Sequence, residues 1–219
     1  MDQVLLAYGS GGSMMHDLID EMFIDAYGSD ILRRGDDAAV LHTGLPVDRL
    51  AFTTDTFVVT PHFFPGGDIG RLAVCGTVND LATSGAEPKW LSVAFVLEEG
   101  YPLENLRRIC ASIAETAEEA GVQVVTGDTK VVNRGHGDGI YINTSGIGLL
   151  RPDVELSGSL CRPGDRILIS GTLGDHGIAI ISAREQLALS TTVKSDAAPL
   201  NRLMSTVLKA APHTHCFRD

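Results

Sequence analysis

The stretch DIGRLAVCGTVNDLATSGAEPKWLSVAFVL, residues 68–97, contains two different kinds of element in direct succession. Its first part, Gly70 to Ser84, is rich in small residues and predicts a helix that ends near Gly85 and Pro88. Its last part, KWLSVAFVL, is an almost unbroken apolar run and predicts a buried strand. A helix followed at once by a buried strand is a basic unit of α/β folds.

Further elements follow toward the C-terminus. An apolar series from Leu103 to Ala117, with Pro102 at the first helical position and Gly121 as the stop, predicts a helix. VQVVTG and GIYINTSGIGLL follow it and predict strands, and the polar segment 133–139 between them is typical of a hairpin tip.

The N-terminal third adds one helix and two strands. SMMHDLIDEMFIDAY, residues 13–27, spaces its apolar side chains as an amphipathic helix does, and Ser13 is available as its N-cap. DAAVL and LAFTT are short apolar segments joined by a Gly- and Pro-containing link, and they predict paired strands. Helices alternating with strands, together with adjacent strand pairs, predict an α/β sandwich with a mixed sheet.

The chain divides into a first domain, residues 1–150, and a second, residues 151–219. A Pro- and Gly-rich segment, residues 151–165, marks the boundary. After it come a predicted strand, RILIS, a glycine turn, GTLGDHG, and two helical stretches. One strand is too little sheet for a complete α/β domain. We therefore expect the second domain to be incomplete.

The composition narrows the classes of function. The 219 residues are 44% hydrophobic, and no apolar run approaches the roughly 20 residues that span a bilayer, so a cytoplasmic location is expected. A net charge of −11 argues against nucleic-acid and anionic membrane partners. The four cysteines form no CxxC pair and predict reduced thiols. If this protein handles phosphate, it needs metal ions or backbone N–H groups to do so.

Aspartates recur at the ends of the predicted elements. They are Asp36 and Asp37 in GDDAAV, Asp55 in TTDT, Asp80 in VNDLA and Asp128 in TGDTK. Aspartate oxygen is a ligand suited to Mg²⁺, which keeps waters and bridges substrate phosphates. For any one of these aspartates, a helix cap or an Asx-turn is the more common role.

Two further features are compatible with phosphate chemistry. YGSGGS, with its glycines from Gly9 onward, precedes the first predicted helix, and its backbone N–H groups could approach an anion; a plain turn explains the same residues equally well. Lys130 lies two residues after Asp128, on the same face if the strand continues there. It could contact a phosphate or a substrate oxygen, or it could be an exposed lysine with no such role.

Taken together, several of these motifs resemble the HypE family of hydrogenase maturation factors. The family belongs to the superfamily of aminoimidazole ribonucleotide synthetase, selenophosphate synthetase and thiamine-monophosphate kinase. GDDAAV and ND are shared by that superfamily, whereas FFPGGDIG, GTVNDLA and GDTKVV are typical of HypE. The resemblance implies an aminoimidazole ribonucleotide synthetase-like N-terminal domain, followed here by an incomplete C-terminal domain.

The resemblance also implies an activity. HypE proteins are ATP-dependent carbamoyl dehydratases that convert the S-carboxamide of their own C-terminal cysteine to a thiocyanate, a source of cyanide for [NiFe]-hydrogenase. It further implies a homodimer, carbamoyl transfer from HypF, and cyanide transfer to a HypC–HypD complex. ATP is expected to lie between the two domains, with Mg²⁺.

By position in the matching motifs, the resemblance assigns three sets of residues. Lys130 would lie near the carboxamide as the catalytic residue. The metal ligands would be Asp36, Asp37, Asp80 and Asp219. The nucleotide would be held by Gly9, Ser10, Gly11, Gly12, Asp55, Gly127, Asp128 and Thr129.

The last seven residues, HTHCFRD, first suggest a metal site or a Cys–His pair. Neighbouring His215 and Cys216 cannot both face one centre on a regular element, which argues against such a pair. In the family this motif continues to the acceptor cysteine, so the 219-residue chain is expected to be inactive alone.

Two alternatives remain open. The first is a small-molecule phosphotransferase of the same superfamily, although GSGG lacks the reactive Cys–Lys pair of selenophosphate synthetases. The second is a dimerising scaffold that docks maturation partners without turnover.

Overall fold

The structure is a computed structural model that describes residues 3–9, 13–30, 33, 49–150, 153–184 and 192–219. Some of the predictions lie outside the described residues. These are the predicted strand DAAVL and the candidate site residues Ser10, Gly11, Gly12, Asp36 and Asp37.

Six strands are described. They are β1 Leu50–Phe57, β2 Phe63–Phe64, β3 Gly67–Asp68, β4 Glu87–Glu98, β5 Gln123–Val132 and β6 Ile140–Leu149. The helices are α1 Ser13–Leu18, a π-helical segment Ile19–Ile24, α2 Asp25–Tyr27, α3 Ile69–Thr83, α4 Leu103–Ala120, α5 Asp175–Arg184 and α6 Asn201–Ala210. Two short 3₁₀ helices, Leu6–Gly9 and Gly158–Leu160, complete the set. None of the described helices is long and apolar enough to cross a membrane.

The predicted mixed sheet is confirmed. Its strand order in the described part of the chain is β1-β6-β4-β5, with β4 and β5 parallel and the other pairs antiparallel. The hairpin predicted at residues 133–139 is wrong, since β5 and β6 lie on opposite sides of β4. β4 has a neighbour along each edge, so the segment 133–139 must pass the end of β4 instead of joining adjacent strands.

One face of the sheet is covered by helices. Along β4, the side chains of Leu91, Val93, Phe95 and Leu97 are buried, whereas the intervening residues are partly exposed. Helix α3 lies across β1, β6 and β4, and α4 packs beside α3. The alternation of buried and exposed residues along β4 follows from the strand's two-residue period. The opposite face is more open, and on β1 it presents Phe52 with 69% of its surface exposed.

Individual residues at the helix ends determine where several of the helices begin and end. Asp68 caps α3 because its Oδ1 accepts hydrogen bonds from the backbone N–H groups of Gly70 and Arg71, at 2.8 and 2.9 Å. Gly121 ends α4 in the left-handed conformation, at φ 74°, and confirms the predicted stop. Pro102 precedes α4 in an extended conformation. Ser13 is the first residue of α1, so its predicted role as the N-cap is wrong.

The second part of the chain contains the two predicted helices, α5 and α6, but not the predicted strand. RILIS, residues 166–170, forms no strand, and Ile167 and Leu168 are 90% and 88% exposed. A strand needs a neighbour for its backbone N–H and C=O groups, and no described strand lies beside this segment. The apolar pattern of RILIS therefore favours a strand, but the described structure gives this segment no neighbouring strand to pair with.

Candidate functional site

Two aspartates face each other across the seam between β1 and α3. Asp55 lies on the side of β1 that faces α3, and its Oδ2 accepts a hydrogen bond from Thr77 Oγ1 at 3.0 Å. The Oδ2 of Asp80, one turn further along α3, accepts a hydrogen bond from Thr53 Oγ1 at 3.1 Å. Thr53 and Asp55 share a face of β1 because they are two residues apart, and Thr77 and Asp80 share a face of α3 because they are three apart. At this seam, each carboxylate therefore accepts a hydrogen bond from a threonine of the opposing element.

A third carboxylate, that of the exposed residue Asp219, is influenced by the charges at this seam. Burial raises the pKa of Asp219, and the charges of Asp80, Asp55 and Asp196 raise it further, against a lowering hydrogen bond from Asn79. Burial also raises the pKa of Asp55, and the charge of Asp80 adds to this effect. Like charges that raise one another's pKa are stabilised by a cation placed between them.

Carboxylate oxygens of this kind are ligands suited to a magnesium ion. Among the described residues, no three His, Cys, Asp or Glu side chains are close enough together to hold a metal by themselves. Mg²⁺ is commonly held by one or two carboxylates and completes its six ligands with water and substrate phosphates. The mutual repulsion of Asp55, Asp80 and Asp219 is therefore compatible with an ion of this type.

A segment from the second part of the chain lies against α3. This segment, residues 194–200, is called the strap. The N–H of Ser195 donates to the carbonyl of Pro65 at 2.8 Å, and Arg71 Nε donates to the carbonyl of Ala197 at 2.9 Å. The side chain of Asn79 donates to the carbonyl of Ala198 at 3.1 Å. The strap was not predicted from the sequence, because its contacts join residues more than 100 positions apart.

Asp128 and Lys130 lie on the other face of the sheet. Asp128 is paired in register with Ala94, whose side chain points away from α3, and Lys130 is paired with Val96. Lys130 Nζ lies 2.8 Å from Asp128 Oδ1, and this hydrogen bond lowers the pKa of Asp128. The prediction that the two residues share a face is confirmed. Within one chain, however, the structure does not bring this pair together with Asp55 and Asp80.

The remaining candidates are placed as follows. Gly127 lies opposite Val93, where an added Cβ would meet the Val93 carbonyl oxygen at 2.2 Å, and Thr129 is 3% exposed. Because Thr129 is nearly enclosed in the core, it is a poor candidate for direct contact with a ligand in this conformation. Gly9 is the last residue of the first 3₁₀ helix.

The four cysteines are free thiols, as the sequence predicted. Burial raises the pKa of both Cys75 and Cys110 to about 12. His215 Nδ1 bonds Asp165 Oδ2 at 2.8 Å, while Cys216 Sγ donates to the carbonyl of Phe217 at 3.1 Å. His215 and Cys216 therefore face different partners, in agreement with the argument against a Cys–His pair.

Comparison with known proteins agrees with this architecture. The family described as AIR synthase related protein, N-terminal domain, matches residues 35–150. The chain belongs to this family. Over its whole length it is 52% identical to carbamoyl dehydratase HypE of Rhodobacter capsulatus, of which it covers 64%.

Two solved structures extend the similarity. The crystal structure of the hydrogenase maturation protein HypE in complex with ATP matches with a TM-score of 0.93 and 49% identity, over 98% of this chain and 63% of that one. A crystal structure of a HypE–HypF complex matches with a TM-score of 0.76 and 51% identity, over 92% of this chain and 65% of that one. The resemblance to HypE predicted from the motifs is confirmed, and the chain spans a little under two thirds of these relatives.

Proposed function

We propose that this chain forms the nucleotide- and metal-binding part of an ATP-dependent carbamoyl dehydratase in hydrogenase maturation. The proposal rests above all on the carboxylates of Asp55 and Asp80 at the seam between β1 and α3, in a fold that matches an ATP complex of HypE at a TM-score of 0.93. The reaction is the dehydration of a protein S-carboxamide to a thiocyanate, from which cyanide reaches [NiFe]-hydrogenase.

In this proposal the metal ligands lie at the acidic seam, which is the seam between β1 and α3 that carries Asp55 and Asp80. Asp80 and Asp219 hold Mg²⁺ together with Asp36 and Asp37, and Asp55 faces the nucleotide beside them. ATP supplies the phosphoryl group that turns the carboxamide oxygen into a leaving group. The backbone of residues 9–12 holds phosphates, with Gly127 and Asp128 as the further nucleotide-binding residues. A protein of net charge −11 needs such cations and N–H groups to bind a polyanion.

Lys130 is the proposed catalytic residue at the carboxamide. Its ammonium group stabilises negative charge that develops on the carboxamide oxygen. The neighbouring carboxylate of Asp128, 2.8 Å away, orients the ammonium group. Both side chains are more than half exposed, so a substrate can reach them.

The partners of the proposed enzyme follow from its relatives. We propose a homodimer in the cytoplasm that receives the carbamoyl group from HypF and passes cyanide to a HypC–HypD complex. The open face of the sheet supports the dimer, because Leu50 and Phe52 are 58% and 69% exposed there. The match to a HypE–HypF complex at 51% identity supports HypF as a partner.

A chimera tests the proposed reaction. The C-terminal third of the Rhodobacter capsulatus relative is joined after Asp219 and incubated with HypF, carbamoyl phosphate, ATP and Mg²⁺. Mass spectrometry of the intact chimera should show a carbamoyl adduct that then loses one water, because this chain supplies the ATP site. With Lys130→Met, the carboxamide should form and persist.

Two results would contradict the proposal. A folded chimera that is carbamoylated but never dehydrated favours the scaffold alternative. Release of ADP with thiamine phosphate or selenide as the sole added acceptor favours a small-molecule phosphotransferase.

A further inference from the structure

Asn79 is a buried polar residue whose hydrogen bonds join distant parts of the chain. Its side chain is 5% exposed on α3, immediately before Asp80. Its Nδ2 donates to the carbonyl of Ala198 at 3.1 Å, and its Oδ1 accepts from the N–H of Leu200 at 2.8 Å. The side-chain amide of Asn79 thus donates one hydrogen bond to the strap backbone and accepts one from it, as the backbone of a neighbouring β-strand would. A buried amide left without these partners would be costly.

The strap is also held on its other side. The Oγ of Ser195, a buried residue, lies 2.9 Å from His176 Nδ1 on α5, and the carboxylate of Asp196 accepts a hydrogen bond from the backbone N–H of His176 at 3.2 Å. The turn before β3 approaches closely as well, since a Cβ at Gly66 would meet the backbone of Ser195 at 2.7 Å. The strap is therefore fixed between α5 and α3, and Asn79 is its contact nearest to Asp80.

This arrangement brings the strap next to the acidic seam. Burial, together with the charges of Asp80, Asp55 and Asp196, raises the pKa of Asp219. The carboxylates thus come from two parts of the chain, and Asn79 contacts the strap one residue before Asp80. A shift of the strap would change the separation of Asp196 from Asp80.

We propose that Asn79 is a positioning residue that fixes the strap at Ala198 and Leu200, and thereby sets the position of the strap relative to Asp80. The assignment deepens the proposed function, because it concerns the same metal site. Asn79 does not bind the ion itself in that site but positions the groups that bind it. Partners of this kind change metal affinity by about 10- to 100-fold when they are lost.

Arg71 offers an internal comparison. It lies two turns before Asn79 on the same face of α3 and also holds the strap, through the carbonyl of Ala197 and an ion pair with Glu119. Arg71→Met therefore loosens the strap at Ala197 and leaves the bonds at Ala198 and Leu200 in place. If Asn79 sets the site, the two variants will differ in metal affinity.

The first measurement needs no metal. Backbone amide exchange is followed by NMR in the metal-free 219-residue chain, for the wild type, Asn79→Leu and Asn79→Asp. We expect the Leu200 amide to lose about fivefold or more of its protection in Asn79→Leu, because the variant removes the acceptor of the Leu200 hydrogen bond. Asn79→Asp retains an acceptor oxygen and should preserve more of this protection.

The second measurement uses Mn²⁺ as the probe, counted by electron paramagnetic resonance in the presence of ATP. The Kd for Mn²⁺ should rise about 10- to 100-fold in Asn79→Leu and less in Arg71→Met. Thr116→Val is the control for general loss of stability, since buried Thr116 bonds only within α4, to the carbonyl of Ser112 at 2.7 Å. Its Kd should match that of the wild type.

The outcomes separate this inference from the proposed function. Unchanged exchange at Leu200, or equal Kd values for Asn79→Leu and Thr116→Val, would overturn the role of Asn79. A folded wild-type chain that binds no Mn²⁺ with ATP would contradict the proposed function. In that case the exchange of Leu200 alone decides whether Asn79 holds the strap.

Discussion

Asp55 illustrates how a residue proposed to bind the nucleotide can destabilise the protein without its ligand. Its pKa is raised above 3.8 in the folded chain, mainly by burial and also by the charge of Asp80. The fold therefore favours the protonated form. As pH rises through the folded pKa, this residue reduces the stability of the metal-free protein.

We predict that Asp55→Asn raises the melting temperature of the metal-free chain at pH 7. The gain should be small, about 1–3 °C, because the residue is partly exposed and solvent screens its charge. It should vanish well below pH 3.8, where Asp55 is protonated in both the folded and the unfolded chain. Calorimetric melts across this pH range measure it, and a lower melting temperature of the variant at pH 7 would contradict this account.

At the residue scale, local patterns were enough for part of the site. The two-residue spacing of Asp128 and Lys130 predicted a shared face, which the 2.8 Å ion pair confirms. The pairing of Asp55 and Asp80 with threonines was not predictable, since it depends on how α3 lies on β1. The role of Asn79 was missed for the same reason, although its place in VND beside Asp80 was a signal.

At the scale of elements, a glycine allows α3 to lie close to the sheet. A Cβ added at Gly146 on β6 would meet Leu81 and Thr77 of α3 at 2.8 Å and Leu91 of β4 at 3.0 Å. Larger side chains at such a contact overpack the core. The position of α3 sets the seam in which Asp55 and Asp80 lie, so this contact also bears on the candidate site.

We predict that Gly146→Ala destabilises the protein by about 1–3 kcal/mol, because α3 must move away from β6. For a chain of this size, the melting temperature should fall by about 3–9 °C. Gly158→Ala is the matched control, since a Cβ there meets no atom within 4 Å. Equal melting temperatures for the two variants would show that α3 does not need this close contact.

The errors in predicting elements also have a physical cause. The helix at Gly70–Ser84 and the strand KWLSVAFVL were predictable because their periodicity and end signals are local. RILIS has an apolar strand pattern but no described neighbour, and the segment 133–139 looked like a hairpin although β4 separates its strands. Strand pairing is a property of the whole sheet, which a local pattern does not determine.

At the scale of the whole molecule, two apolar surfaces are exposed in the described structure. One is the open face of the sheet at Leu50 and Phe52, and the other is the segment around Leu168. Exposed apolar patches commonly mark interaction sites. The proposed homodimer uses the first surface and leaves the second free.

We predict that Phe52→Arg converts a dimer to a monomer, because it places a charge in the proposed interface. Light scattering coupled to gel filtration measures the change in mass. Leu168→Arg, at a residue that is 88% exposed, should leave the dimer intact. Loss of the dimer in Leu168→Arg but not in Phe52→Arg would place the interface on the second part of the chain.

The central claim is that the acidic seam binds ATP through Mg²⁺, and titration calorimetry tests it most directly. ATP is titrated into the wild type with and without Mg²⁺, and into Asp80→Asn and Glu115→Gln with Mg²⁺. Glu115 is an exposed carboxylate on α4 and provides the same change of charge. We predict Mg²⁺-dependent binding to the wild type and to Glu115→Gln. Affinity should be at least about tenfold weaker in Asp80→Asn, a loss of about 1.4 kcal/mol. ATP binding that is indifferent to Mg²⁺, or equal in Asp80→Asn and the wild type, would contradict the account.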